Sequence, residues 1–104
     1  MERIVIVGYK PLPGKNAALQ QLMLTHWEIL DQQSLVSPRK PITMVAGDGT
    51  FIEVFGWKSK EAISEAHTNP EVQKMWGKFA EVCEYIPVSE VEECKGLFSE
   101  FEPI

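Results

Sequence analysis

The chain has 104 residues, of which 44% are hydrophobic and 24% are charged, and this size and composition predict one globular domain over residues 1–104. Its 10 basic residues are outnumbered by 15 acidic ones, and the net charge of −5 argues against a nucleic-acid or anionic-membrane partner, which would favour a basic surface. No stretch has the length and apolar character of a signal peptide or membrane span, so a cytoplasmic protein is expected.

The two cysteines, Cys83 and Cys94, are expected to be reduced thiols in such a compartment. Their spacing fits no usual zinc pattern, and both histidines lie far from them in the sequence. The sequence also contains no glycine-rich phosphate loop and no Cys-x-x-Cys motif. We therefore expect neither a metal ion nor another cofactor.

The chain begins with a predicted strand and a predicted helix. Arg3–Lys10 contains four consecutive β-branched apolar residues, Ile4 to Val7, and predicts a strand that is buried on both faces. Lys15–Gln33 predicts a helix with Asn16 as its N-cap and with an apolar stripe that includes His26. For His26 two interpretations stay open, a core histidine with a satisfied hydrogen bond and a residue of a functional site.

A hairpin is predicted after a loop over Leu35–Pro41. Ile42–Ala46 and Thr50–Trp57 predict its strands, and the glycines of Gly47–Gly49 favour the tight turn between them. The residues that alternate on one face of the second strand are Phe51, Glu53, Phe55 and Trp57. Both faces of this strand are largely apolar, so each face needs a covering layer, and the chain has too few elements to supply both.

Two helices are predicted next. Ser59 predicts the N-cap of the first, which ends near His67 at a Thr-Asn-Pro break. Asn69 and Pro70 predict the start of the second helix, whose apolar stripe continues to about Glu84.

The remainder of the chain predicts a turn, a helix and a strand. Tyr85–Pro87 predicts the turn, the capping-box spacing of Ser89–Leu97 predicts the helix, and Phe98–Ile104 predicts a short edge strand. The resulting βαββαβ order predicts an α+β fold of the ferredoxin-like kind, an antiparallel sheet with helices on one face. Because the open face would expose a large apolar patch, we expect a homodimer that packs sheet against sheet.

Two segments, Thr50–Ala62 (TFIEVFGWKSKEA) and Ala66–Val72 (AHTNPEV), resemble the antibiotic-biosynthesis-monooxygenase-like group of the dimeric α+β barrel superfamily. Members typically have an apolar strand that ends in an aromatic residue, a short polar cap, and a helix with a histidine and a proline break. The resemblance implies a dimeric α+β barrel. At the positions of the group's frequent carboxylate and histidine, however, this chain has Phe55 and Ala66.

The haem-degrading branch of that superfamily is also similar around Trp57–Lys60. This chain lacks the first-strand asparagine of that branch and has Ala66 and Trp76 where the branch has its tryptophan and its ligating histidine. We therefore expect no haem.

Glu53 and His67 are the candidate catalytic residues, either of which would serve as a base. A buried, unpaired carboxylate is costly, so Glu53 is expected to be solvated, to be paired, or to line a cavity as a general base. For His67 the alternative is a surface cap at a helix C-terminus. The candidate pocket-lining side chains are Tyr9, His26, Phe55, Trp57 and Trp76. For Trp57 and Trp76 the alternative is simple core packing, which is the more common role of such aromatic residues.

Two functions follow as hypotheses. The resemblance implies a cofactor-independent monooxygenase-like enzyme that binds a small apolar or aromatic molecule between sheet and helices. The alternative is a non-catalytic dimeric domain that binds a ligand or another protein. A pocket of roughly several hundred Å³ with a few converging polar groups favours the enzyme, and a filled interior favours the alternative.

Overall fold

The computed structural model describes all residues from Met1 to Ile104 as an α+β fold. Five strands form one sheet: β1 (Arg3–Pro11), β2 (Ile42–Val45), β3 (Phe51–Trp57), β4 (Cys83–Ile86) and β5 (Glu102–Pro103). Three helices accompany it: α1 (Asn16–Gln32), α2 (Lys60–Ala66) and α3 (Pro70–Ala80). The strand order is β4-β1-β3-β2-β5 and every neighbouring pair is antiparallel. The prediction of an α+β fold with an antiparallel sheet is confirmed.

Local side-chain chemistry explains where α2 and α3 begin. The side chains of Ser59 and Asn69 accept hydrogen bonds from backbone N–H groups of the first turns of α2 and α3, respectively. Pro70 occupies the first position of α3, where its missing N–H leaves no partner unsatisfied. The predicted cap of α1 is wrong: Lys15 is the N-cap and makes no side-chain bond, while Asn16 is already helical.

The β2–β3 hairpin has the predicted tight turn. The Asp48 carboxylate accepts a hydrogen bond of 2.9 Å from the backbone N–H of Thr50. Gly49 has a φ of 92°, a backbone conformation that side chains with a Cβ rarely adopt. The turn therefore depends on Gly49 for its positive-φ backbone conformation and on Asp48 for the hydrogen bond that closes it.

The end of α3 differs from the prediction. The helix stops at Ala80 rather than near Glu84, and Cys83–Ile86 is strand β4 rather than the end of a helix followed by a turn. This strand pairs with the edge of β1, whose backbone groups a longer helix would leave without these partners. Gly8 permits the close approach, since a Cβ there would lie 2.7 Å from the carbonyl oxygen of Ile86.

The predicted α-helix over Ser89–Leu97 is also wrong. The segment forms two 3₁₀ turns, Val88–Glu90 and Glu92–Lys95, and the chain then returns to the sheet as the two-residue strand β5. Its one buried apolar side chain, Val91, packs with Ile52 and Ala46 on the face of the sheet opposite the helices. Short turns let the segment follow the sheet surface, which accounts for the absence of a regular helix.

The two faces of the sheet are covered unequally. On the helix side, the main core comprises residues of all three helices and of the sheet, among them Tyr9, Leu19, Met23, Phe55, Val72 and Phe79. On the other side, the C-terminal segment buries Ile52, so the chain covers part of the face for which it was expected to have too few elements. The rest of that face stays open: Ile4, Ile6 and Ile42 are 55%, 56% and 60% exposed.

No helix in the structure combines the length and the apolar character needed to cross a membrane. Cys83 and Cys94 are free thiols, and burial raises the pKa of the Cys83 thiol to about 11. No cluster of three or more histidine, cysteine or acidic side chains is arranged to hold a metal ion.

Candidate functional site

A cavity of about 400 Å³ lies between the helix-facing side of the sheet and the helices. Nine side chains line it, drawn from β1, α1, β3, α3, β4 and the end of α2: Val5, Val7, Tyr9, His26, Phe55, Trp57, His67, Trp76 and Tyr85. None of them is a lysine, an arginine or a carboxylate. The cavity therefore suits a molecule that is largely apolar and uncharged.

Strand register places the sheet residues of the pocket. In the antiparallel β1–β3 pair, Val5 lies opposite Phe55 and Tyr9 lies opposite Phe51, and on the other edge of β1 Tyr9 lies opposite Tyr85. Because side chains alternate along a strand, these residues all point to the helix side. A one-residue slip would turn the whole set to the opposite face.

Glu53 lies behind the pocket as the centre of a buried polar cluster. It faces the helices between Phe51 and Phe55 and is completely buried. The Tyr9 hydroxyl donates to its Oε1 at 2.9 Å, and Nδ1 of His26 lies 2.7 Å from the same oxygen. Of the three alternatives for Glu53, the structure has the paired one, and Glu53 is not among the residues that line the cavity.

His26 connects this cluster to the cavity. The residue is 3% exposed, and its ring makes edge-to-face contacts with Phe55 and Phe79, with centroids 5.5 and 5.2 Å apart. Nδ1 is hydrogen-bonded to Glu53. Nε2 has no hydrogen-bond partner in the protein, and it is not one of the fully buried polar atoms that lack a partner. Because the ring lines the cavity, Nε2 is the nitrogen that a bound molecule can reach.

His67 and Trp76 form the outer wall of the cavity. His67 is the exposed C-cap of α2, and its Nδ1 lies 2.8 Å from the carbonyl oxygen of Ile63, to which it donates. Its ring meets the Trp76 ring edge-on, with centroids 5.3 Å apart. His67 therefore lies at a helix end, as the cap interpretation predicts, and it also lines the pocket, while its role as a base stays a prediction.

The two tyrosines share one boundary of the pocket, with ring centroids 5.4 Å apart. Burial, and then the charge of Glu53, raises the pKa of the Tyr9 phenol far above its ordinary range. Burial also raises the pKa of the half-exposed Tyr85 to about 12. Both phenols are therefore hydrogen-bond donors rather than bases at neutral pH.

We expect the free energy of unfolding to fall as the pH rises from about 10 to 12. The unfolded chain releases tyrosine protons near the ordinary pKa of 10.0, while the folded chain retains them, so alkali favours unfolding. Tyrosinate absorbance and circular dichroism measured along one titration should change together. An intact fold that develops the full tyrosinate signal near pH 10 would contradict this expectation.

The structure brings most of the sequence candidates together. Tyr9, His26, Phe55, Trp57, His67 and Trp76 all line one cavity, and Glu53 contacts two of them from behind. Tyr85, Val5 and Val7 were not predicted as pocket residues. Tyr85 lies on strand β4, where the alternation along Cys83–Ile86 was the only sequence signal for its direction, and this segment was predicted as a helix end and a turn.

No protein-family model matches this sequence, and no curated protein matches it.

Proposed function

We propose that this chain binds a small apolar or aromatic molecule in the cavity and acts on it as a cofactor-independent monooxygenase-like enzyme. The observation that carries the proposal is an apolar cavity of about 400 Å³ that reaches a buried histidine paired with a buried carboxylate. This size and lining are typical of small-molecule sites, in which a few placed polar groups fix the orientation of the ligand.

The chemistry needs little from the protein. An activated methylene group of an electron-rich aromatic substrate would lose a proton, and the resulting anion would pass electrons to dioxygen. Insertion of one oxygen atom as a carbonyl and release of the other as water consumes both hydrogens of the methylene and balances the reaction. The protein would position the ring between Phe55, Trp57 and Trp76, keep bulk water away, and accept the proton.

The non-catalytic alternative is separated from the enzyme by one experiment. Purified protein is mixed with aromatic ketones that carry an activated methylene, and binding is followed by quenching of tryptophan fluorescence while oxygen consumption is recorded. An enzyme consumes oxygen in proportion to bound substrate, and a binding domain shows quenching alone. We expect oxygen consumption to weaken in Trp57→Leu, and both signals to persist in the control Leu24→Ala, a change at an exposed position of α1 outside the cavity. Absence of quenching by every compound would overturn the proposal.

We propose further that the fold is ferredoxin-like and that two copies form a dimeric α+β barrel. The order of the first four strands, β4-β1-β3-β2, and a core between the sheet and the helices support the first part. The exposed isoleucines of the opposite face, Ile4, Ile6 and Ile42, support the second. Contiguous apolar residues on an open sheet face are typical of a surface that a partner covers.

We expect Ile6→Glu to convert a dimer into a monomer. A carboxylate buried without a partner at the interface costs on the order of several kcal/mol, and each 1.4 kcal/mol weakens association about tenfold. Light scattering over a range of protein concentrations measures the change. The matched control is Leu24→Glu, an equally exposed position on the helix side. A parent protein that is monomeric at micromolar concentration would contradict the proposed dimer.

A further inference from the structure

We infer that His26 is the general base of this pocket, that Glu53 is its positioning residue, and that the substrate is a neutral weak acid. The class includes phenols and aromatic ketones with an acidic C–H group, and excludes molecules that arrive as carboxylates. This inference rests on the proposed function, because it assigns the proton acceptor and the substrate class of the same cavity.

Glu53 determines which nitrogen of His26 is basic. Its Oε1 lies 2.7 Å from Nδ1, so a carboxylate there accepts the Nδ1–H and leaves the lone pair on Nε2. Nε2 has no partner in the protein, and the ring that bears it lines the cavity. Tyr9 donates to the same Oε1 and holds the carboxylate in place.

The charge balance of the site selects the substrate class. When Nε2 takes the proton, the O–H or C–H bond of the substrate breaks, an N–H bond forms, and the imidazolium lies between Glu53 and the new anion. The three charges alternate in sign, so the transfer is favoured in a site of low polarity. A substrate that enters as a carboxylate meets no lysine or arginine in the lining and faces the charge of Glu53 behind His26.

The other titratable groups around the pocket do not compete for this role. Tyr9 on β1 and Tyr85 on β4 hold their protons at neutral pH because burial raises the pKa of each phenol. His67, at the end of α2, is exposed to solvent and uses Nδ1 for the Ile63 carbonyl. The pocket residue of α3, Trp76, carries no titratable group. His26 is thus the one buried base with a free nitrogen in the cavity.

Three para-substituted nitrobenzenes of similar size test the inference. Para-nitrophenol is a neutral weak acid whose anion is coloured, para-nitroanisole cannot ionise, and para-nitrobenzoate arrives charged. We expect the first two to bind, measured by tryptophan quenching, and the benzoate to bind at least about tenfold more weakly because its charge is desolvated without a partner. The colour of bound nitrophenol should appear about one pH unit below that of the free compound.

Variants assign the shift to the two residues. His26→Phe keeps an aromatic ring at this position but removes both ring nitrogens. It should abolish the shift of the colour change while nitroanisole still binds. Glu53→Gln should move the midpoint of the colour change back toward that of free nitrophenol, a pH readout that a purely structural role would not alter. Thr25→Ala, at the exposed neighbouring position of α1, should leave the midpoint unchanged.

The outcomes separate this inference from the proposed function. If nitroanisole and nitrophenol bind equally and the colour change is not shifted, the base assignment is overturned and the binding function stands. Benzoate binding as tight as that of nitrophenol overturns the substrate class. If none of the three probes binds, the ligand pocket itself is refuted and this inference fails with it. A shift that disappears in His26→Phe and diminishes in Glu53→Gln supports both assignments.

Discussion

Replacement of Glu53 by alanine is expected to lower the free energy of unfolding by about 3–5 kcal/mol, because it leaves two buried polar side chains without their common partner. The Tyr9 hydroxyl and Nδ1 of His26 both bond Oε1 of Glu53, and neither atom forms another hydrogen bond within the protein. Chemical denaturation followed by circular dichroism measures the change. Glu65→Ala, which removes an exposed carboxylate from α2, should stay within about 0.5 kcal/mol of the parent protein.

A double-mutant cycle isolates the bond between Glu53 and Tyr9. Tyr9→Phe alone removes one hydrogen bond and should cost about 1 kcal/mol. The double variant Tyr9→Phe/Glu53→Ala should lose less free energy of unfolding than the sum of the two single losses. The reason is that the double variant no longer contains the Tyr9 hydroxyl that Glu53→Ala alone leaves unpaired. Additive effects, or a Glu53→Ala protein as stable as the parent, would show that the cluster does not hold the core together.

Replacement of Phe79 by alanine is expected to cost about 3–5 kcal/mol and to lower the melting temperature by roughly 15 °C or more. Phe79 lies on α3 and is completely buried. Its ring packs against those of Tyr9 and His26, with centroids 5.4 and 5.2 Å apart. The substitution therefore removes a large buried side chain and leaves a cavity beside the polar cluster.

The chain offers a matched control for this change. Phe98 is 86% exposed on the C-terminal segment, and Phe98→Ala should alter the free energy of unfolding by no more than about 0.5 kcal/mol. Thermal melts of both variants at one protein concentration allow a direct comparison. Equal melting temperatures for the two variants would contradict the burial of Phe79.

The first 80 residues fold largely as the sequence predicts, because their signals are local. Asp48 and Gly49 encode the hairpin turn, and Ser59, Asn69 and Pro70 encode two helix starts. Each signal acts within a few residues of itself, so no knowledge of the distant chain is needed. The boundaries of β1 and β3, and the first residue of α3, follow from the same short-range chemistry.

In the C-terminal quarter the predicted short edge strand is present as β5, but two segments before it were mispredicted for the opposite reason. Cys83–Ile86 has apolar residues that suit the end of a helix stripe, and only the free edge of β1 makes a strand of it. Ser89–Leu97 has a helix-starting pattern, yet packing Val91 on the sheet favours short turns over a helix. In both segments a tertiary contact outweighs a weak local preference.

The sequence by itself determined the class of fold, the strand alternation that points Glu53 and its aromatic neighbours the same way, and the helix stripe that contains His26. These properties depend on periodicity, which is a property of neighbours along the chain. Only the tertiary structure decided that Glu53 pairs with Tyr9 and His26, residues 44 and 27 positions away along the chain. Such a pairing requires β1, β3 and α1 to be packed together. The same packing leaves Nε2 of His26, and not the carboxylate, facing the cavity, and no spacing in the sequence encodes that choice.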